Sequence, residues 1–94
     1  MTYQAITTKY LGPTNHRGAR IVARAFAGRV TVPWDYSENV MANHAAAAKA
    51  LAEKYQWTGG RWHGGGLPDD TGYCFVHDLP GSIAFTVEVA TDEN

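Results

Sequence analysis

Arg20 and Arg24 stand four residues apart in Arg-Ile-Val-Ala-Arg-Ala-Phe, where side chains alternate in character. In a strand this spacing puts both guanidinium groups on one face with Val22 between them. Ile21, Ala23 and Ala25 are left for the other face. Arg17 in the preceding loop and Arg29 in the following turn extend the patch. Arginine presents a rigid fork of donors that matches carboxylates and phosphates bidentately. The four residues therefore point to binding of an acidic protein surface or a nucleic-acid backbone. The competing reading is a solvated strand face whose charges pair with neighbouring strands. Exposed pairs contribute only about 0–1 kcal/mol each, so folding alone does not demand four arginines here.

A second candidate is Arg61-Trp62-His63, flanked by Gly59-Gly60 and Gly64-Gly65-Gly66 and followed by Asp69 and Asp70. The stretch from Trp57 to Thr71 reads as irregular. Fixing backbone costs about 1–2 kcal/mol per residue, and glycine has the most freedom to lose. One use is a mobile segment that orders on contact, with Trp62 as an interface anchor. The other is a long hairpin in which Trp62 folds back onto the core. A phosphate-binding loop is excluded, because Gly-x-x-x-x-Gly-Lys-Ser/Thr is absent and no strand–loop–helix context surrounds the glycines.

Metal or acid–base chemistry has the right residue types and the wrong spacing. His16, His44, His63, His77, Cys74, Asp69, Asp70 and Asp78 include the usual ligands, but none lies at a recognised ligand interval. Cys74 and His77 are three apart on an expected strand and so face opposite ways. His44 falls on the apolar face of an expected helix and reads as a hydrogen-bonded core residue. Cys74, between Tyr73 and Phe75, reads as a buried small hydrophobe with no helix terminus or base to activate it. The sequence thus assigns no catalytic residue, no metal ligand and no cofactor, and points to a non-enzymatic protein.

These side chains must be positioned by a chain of 94 residues, enough for one domain, 1–94, with a single core. Strands are expected at Tyr3–Tyr10, Arg20–Phe26 and Val30–Val32, the last ended by Pro33. Gly12–Gly18 is a turn-rich connection. A helix follows to about Gln56. Its cap is Asp35, in capping-box spacing with Glu38, or Ser37 or Asn39. Val40, His44, Ala47, Ala48, Leu51 and Tyr55 form its apolar face, and Ala45–Ala48 strongly favours helix. Such small residues allow close approach to a sheet, with Ala23 and Ala25 as the matching surface. Tyr10, Trp34, Tyr36, Tyr55 and Trp57 bracket elements and read as core corners. Two further strands are expected at Gly72–His77 and Ser82–Ala90. The order is βββαββ: an α+β fold with one helix packed on an antiparallel sheet of about five strands.

Charge is segregated along the chain. Residues 1–49 hold six basic and two acidic residues, and residues 50–94 hold two basic and seven acidic ones. The net charge of −1 and pI near 6.4 disfavour both a strongly basic nucleic-acid binder and an acidic mimic of DNA. A bipolar surface suits recognition of a macromolecule, since complementary potentials set orientation and encounter rate. No apolar run approaches the roughly 20 residues of a membrane span, and no signal peptide is legible. With a single cysteine, the expected setting is the reducing cytoplasm of a host cell.

Tyr10–Ile21 (Tyr-Leu-Gly-Pro-Thr-Asn-His-Arg-Gly-Ala-Arg-Ile), Val30–Asp35 (Val-Thr-Val-Pro-Trp-Asp) and the Asn43–Ala48 segment resemble a group of small uncharacterised proteins of bacteria, their phages and their plasmids. The resemblance spans about residues 5–77, including Gly64-Gly65-Gly66 and Gly72–Val76. It implies a compact protein of a phage or mobile element. Solitary proteins of this size in that setting, anti-CRISPR proteins included, act by stoichiometric binding to host defence machinery. The implied partner is a host protein or ribonucleoprotein complex, engaged through Arg17, Arg20, Arg24, Arg29, Arg61, Trp62 and His63 by a monomer or homodimer. The alternatives are a nucleic-acid-binding accessory protein, with Trp62 stacking on bases, and a protein that sequesters a nucleotide signal.

Overall fold

Alternation of apolar and polar residues gives three strands in the first third of the chain: β1 (Ile6–Leu11), β2 (Arg20–Ala25) and β3 (Gly28–Pro33). They precede a helix, α1 (Val40–Lys54), and two further strands, β4 (Arg61–Gly66) and β5 (Gly72–Asp78). The computed structural model describes residues 4–57, 59–78 and 86–88. The strands form one antiparallel sheet in the order β3-β2-β1-β5-β4. The fold is α+β in the expected order, and no helix is long and apolar enough to cross a membrane.

The fourth strand is supplied by the segment read as irregular. Arg61–Gly66 pairs residue for residue with β5, so the glycine-rich stretch is a hairpin arm. Gly64 explains why a glycine is needed there. It lies opposite Phe75, and a Cβ at position 64 would collide with the Phe75 ring. The ring covers a bare backbone, and the buried Phe75 joins the core. The strand expected at Ser82–Ala90 lies outside the described residues, except that Thr86–Glu88 are exposed.

The core lies between α1 and one face of the sheet. Ile6, Ile21, Ala23, Ala47, Ala48, Leu51, Ala52 and Phe75 form it, and Ala23, Ala47 and Leu51 are wholly buried. The alanines of helix and strand meet as expected, and their small side chains let α1 sit across β1, β2 and β3. Asn39 is the helix cap: its Oδ1 accepts from the Ala42 amide at 2.7 Å. Asp35 instead closes a turn of its own, accepting from the Ser37 hydroxyl and amide.

Two ties hold the helix ends. Asn43 is buried, and its amide donates to the carbonyls of Asp35, Glu38 and Asn39 while its Oδ1 accepts from the Asp35 amide. Every polar atom of that side chain is satisfied, so its burial carries no desolvation debt. At the other end the Tyr55 hydroxyl donates to Ala27 O at 3.1 Å, and Lys54 Nζ to Arg29 O at 3.1 Å. Both bonds dock the end of α1 on the β2–β3 hairpin.

The glycines of β4 differ in what they tolerate. Nothing lies within 4 Å of a Cβ built on Gly65, whereas Gly64 abuts Phe75. Urea unfolding of Gly64→Ala should show a loss of about 1–3 kcal/mol through overpacking, with Gly65→Ala close to neutral. Equal effects would dismiss the ring contact as the reason for glycine at position 64.

Candidate macromolecular interface

Strand register assigns every sheet residue to a face, because directly opposed residues project the same way. Ile6, Thr8, Ile21, Ala23, Val30, Val32, Phe75 and His77 face the helix side. Residues of opposite parity form the other face. Arg29 and Thr31 of β3 lie beside Arg20, Val22 and Arg24 of β2, followed by Thr7 and Lys9 of β1, Cys74, Val76 and Asp78 of β5, and Arg61 and His63 of β4. This face brings together Lys9, Arg20, Arg24, Arg29 and Arg61. Among the described residues, Asp78 is the only carboxylate that its strands place there.

The arginines differ in their surroundings. Arg24 and Arg29 are directly opposed across β2 and β3, both are exposed, and neither side chain has a hydrogen bond or ion pair among the described residues. Like charges placed opposite each other destabilise a sheet, so this pair works against folding. Arg20 is half-buried. Its Nη1 donates to Gly18 O at 3.3 Å, and its Nε is enclosed without a partner among the described residues. Arg17 is exposed in the β1–β2 loop, where Thr14 Oγ1 accepts from the Arg17 amide at 3.0 Å. Arg61 is exposed opposite Asp78, but that carboxylate meets His63 instead, Oδ2 to Nε2 at 3.3 Å. Val22 sits among Lys9, Thr31 and the arginines with 5% of its surface exposed. Long cationic stems can cover such an apolar residue while their heads reach solvent.

Trp62 is not part of this face. Alternation along β4 sends Arg61 and His63 one way and Trp62 the other. Trp62 stacks on Trp57 at 6.3 Å and meets His77 edge-on at 4.9 Å, with Tyr55 stacked on Trp57 at 5.4 Å. Of the two readings of this stretch, the hairpin with Trp62 folded back is the observed one. The triplet does not form a joint anchor, and base stacking by Trp62 beside the arginines has no geometry here. Cys74 is half-buried on the cationic face rather than a core residue. It faces away from the buried His77, as the spacing requires. Tyr36 is 80% exposed and is no core corner.

Two polar features escaped sequence reasoning. The β4–β5 turn carries Asp69, whose carboxylate accepts from the Thr71 hydroxyl at 2.7 Å and amide at 3.1 Å. These bonds, with a smaller contribution from Lys9, hold it below its ordinary pKa of 3.8. Thr8, an apparently neutral strand residue, is buried so that its hydroxyl can meet His44 Nδ1 at 2.7 Å. No family model, curated protein or solved structure matches this chain.

Desolvation holds the His44 imidazole below its ordinary pKa of 6.5. Its ring neighbours, Trp34 and Tyr73, carry no charge at neutral pH, and Asp70 lines the same cleft. The folded protein binds fewer protons at His44 than the unfolded chain once the pH drops below about 6.5. Stability from this group is complete above pH 6.5 and declines as the pH falls toward the lower folded pKa. Asp35 and Asp69, both held below 3.8, act only in stronger acid. Thermal unfolding between pH 7.5 and 5 should show a falling Tm that His44→Asn flattens. An unchanged slope in that variant would assign the effect elsewhere.

Proposed function

We propose that this chain is a non-enzymatic binding protein whose sheet face opposite the helix grips an acidic surface of a protein partner. The observation that carries this reading is the opposed pair Arg24 and Arg29, exposed and unneutralised among the described residues. An arrangement unfavourable for folding persists where a partner supplies the missing anions. Lys9 and Arg61 extend the face to its other strands, and Arg17 borders it. The sequence resemblance to small proteins of phages and plasmids makes a host defence complex the proposed target, inhibited by stoichiometric occupation as anti-CRISPR proteins do. A protein surface is favoured over nucleic acid by the net charge of −1 and pI near 6.4, and Phe26, 96% exposed in the turn between Arg24 and Arg29, offers it an apolar contact.

The test is affinity capture from a bacterial host lysate with and without nuclease, comparing the native chain with Arg24→Glu/Arg29→Glu. A defined protein complex should survive nuclease and be lost with the double reversal. Unchanged capture by the variant removes this face from the mechanism, and capture abolished by nuclease alone transfers it to nucleic acid. The single change Arg29→Glu adds a diagnostic. It creates a cross-strand ion pair with Arg24, so stability should rise by about 0.2–1 kcal/mol while partner affinity falls. A variant that is both less stable and fully competent for binding contradicts the assignment.

A further inference from the structure

On the helix side of the sheet lies a cleft of about 550 Å³, which meets the edge of the cationic face at Thr71 and Gly72, beside Lys9. It opens between the start of α1 and the β4–β5 turn, and its walls include Tyr10, Trp34, His44, Tyr73, Val40 and Asp70. The rings do not form a parallel stack. Tyr10 and Trp34 lie 4.9 Å apart at 78°, Trp34 and His44 6.4 Å apart at 86°, and His44 and Tyr73 4.6 Å apart at 61°. Successive rings turned this steeply make the sides of a box. A flat heterocycle needs parallel walls, whereas a rounded group fits a box.

The electrostatics of the cleft select the charge of that group. No lysine or arginine lines it, and the exposed Asp70 supplies a carboxylate. His44 contributes no positive charge at neutral pH, because burial keeps its ring in the neutral form and its Nδ1 is engaged by Thr8. The α1 terminus brings the apolar Val40 side chain to the cleft, while the Ala42 amide is taken by Asn39. Aromatic faces attract cations through their quadrupoles, and a carboxylate at the rim adds to the attraction. An aliphatic ammonium bearing methyl groups has both the rounded apolar surface and the charge, and is cheaper to strip of water than a bare ammonium.

We propose that this cleft binds a methylated or quaternary ammonium group, held against Tyr10, Trp34 and Tyr73 with Asp70 as counter-ion. The group could belong to a small quaternary amine or to a methylated lysine side chain. The proposal stands independently of the cationic face.

Calorimetric and NMR titrations with tetramethylammonium, choline and a trimethyllysine peptide test it, using 3,3-dimethylbutan-1-ol as the neutral isostere of choline. At least one cation should bind saturably and perturb the Trp34 and His44 ring signals. A preference for choline or for the peptide identifies the source as small molecule or protein tail. The neutral isostere should bind at least about 10-fold more weakly, the margin expected of a partly desolvated cation–π site. Trp34→Ala should abolish binding. Asp70→Asn, at an exposed turn position of positive φ that asparagine tolerates, should weaken it about 3- to 10-fold with folding intact. Equal binding of the isostere, or no saturable binding by any cation, overturns the proposal. So does full affinity retained in both Asp70→Asn and a folded Trp34→Ala.

Discussion

The seating of α1 on the small residues of β2 decides what every strand does with its two faces. Ala23 of the sheet and Ala47 and Ala48 of the helix are buried in one core cluster between the two layers. Close approach follows from their size: a larger residue at any of them would lift the helix, with its Leu51, off Ile6 and Ile21. A helix of about this length covers one side of a small sheet. With odd and even positions thus separated, the burial of Ile21 and Ala23 obliges Arg20 and Arg24 to project from the far side. The cationic face is therefore a geometric consequence of where the core lies.

The same separation partitions the aromatic residues. Those that cover the helix side form two groups, one at each end of α1. Tyr55, Trp57 and Trp62 with His77 gather beyond the helix C-terminus. Tyr10, Trp34 and Tyr73 with His44 surround the cleft at its start. In the first group Tyr55, Trp57 and Trp62 stack in series beside a hollow of about 280 Å³ that reaches Ala48, Ala52 and Phe75. The second meets edge to face and leaves space. Charge follows the same division, with arginines on the face opposite the helix and an acidic turn beside the aromatic cleft. This molecule presents two chemically opposite surfaces although its net charge is −1.

Buried polar groups set the connections between these parts. Asn43 holds the β3–α1 link through a complete set of hydrogen bonds, and Thr8 meets His44 across the helix–sheet layer. Each fixes an orientation that apolar packing alone leaves free, since dispersion contacts have little directional preference. Trp34 follows the strand that Asn43 anchors, so the cleft walls inherit their angles from these ties.

Local pattern was sufficient to determine the first three strands, the helix, its alanine seat and the parity that joins Arg20 to Arg24. All depend on residue intervals of two or three to four, which the chain carries in itself. His44 was legible as a core histidine on the same ground. The glycine-rich strand was not, because Gly64-Gly65-Gly66 has no side-chain alternation to read, and its strand conformation comes from pairing with β5 and the cover of Phe75. The direction of Trp62, the placement of half-buried Cys74 on the cationic face, the opposition of Arg24 to Arg29 and the assembly of the aromatic cleft also arose only in the folded state. Each is set by which residues of distant segments stand beside one another. That choice belongs to strand register and helix placement, interactions between parts of the chain that no local interval encodes.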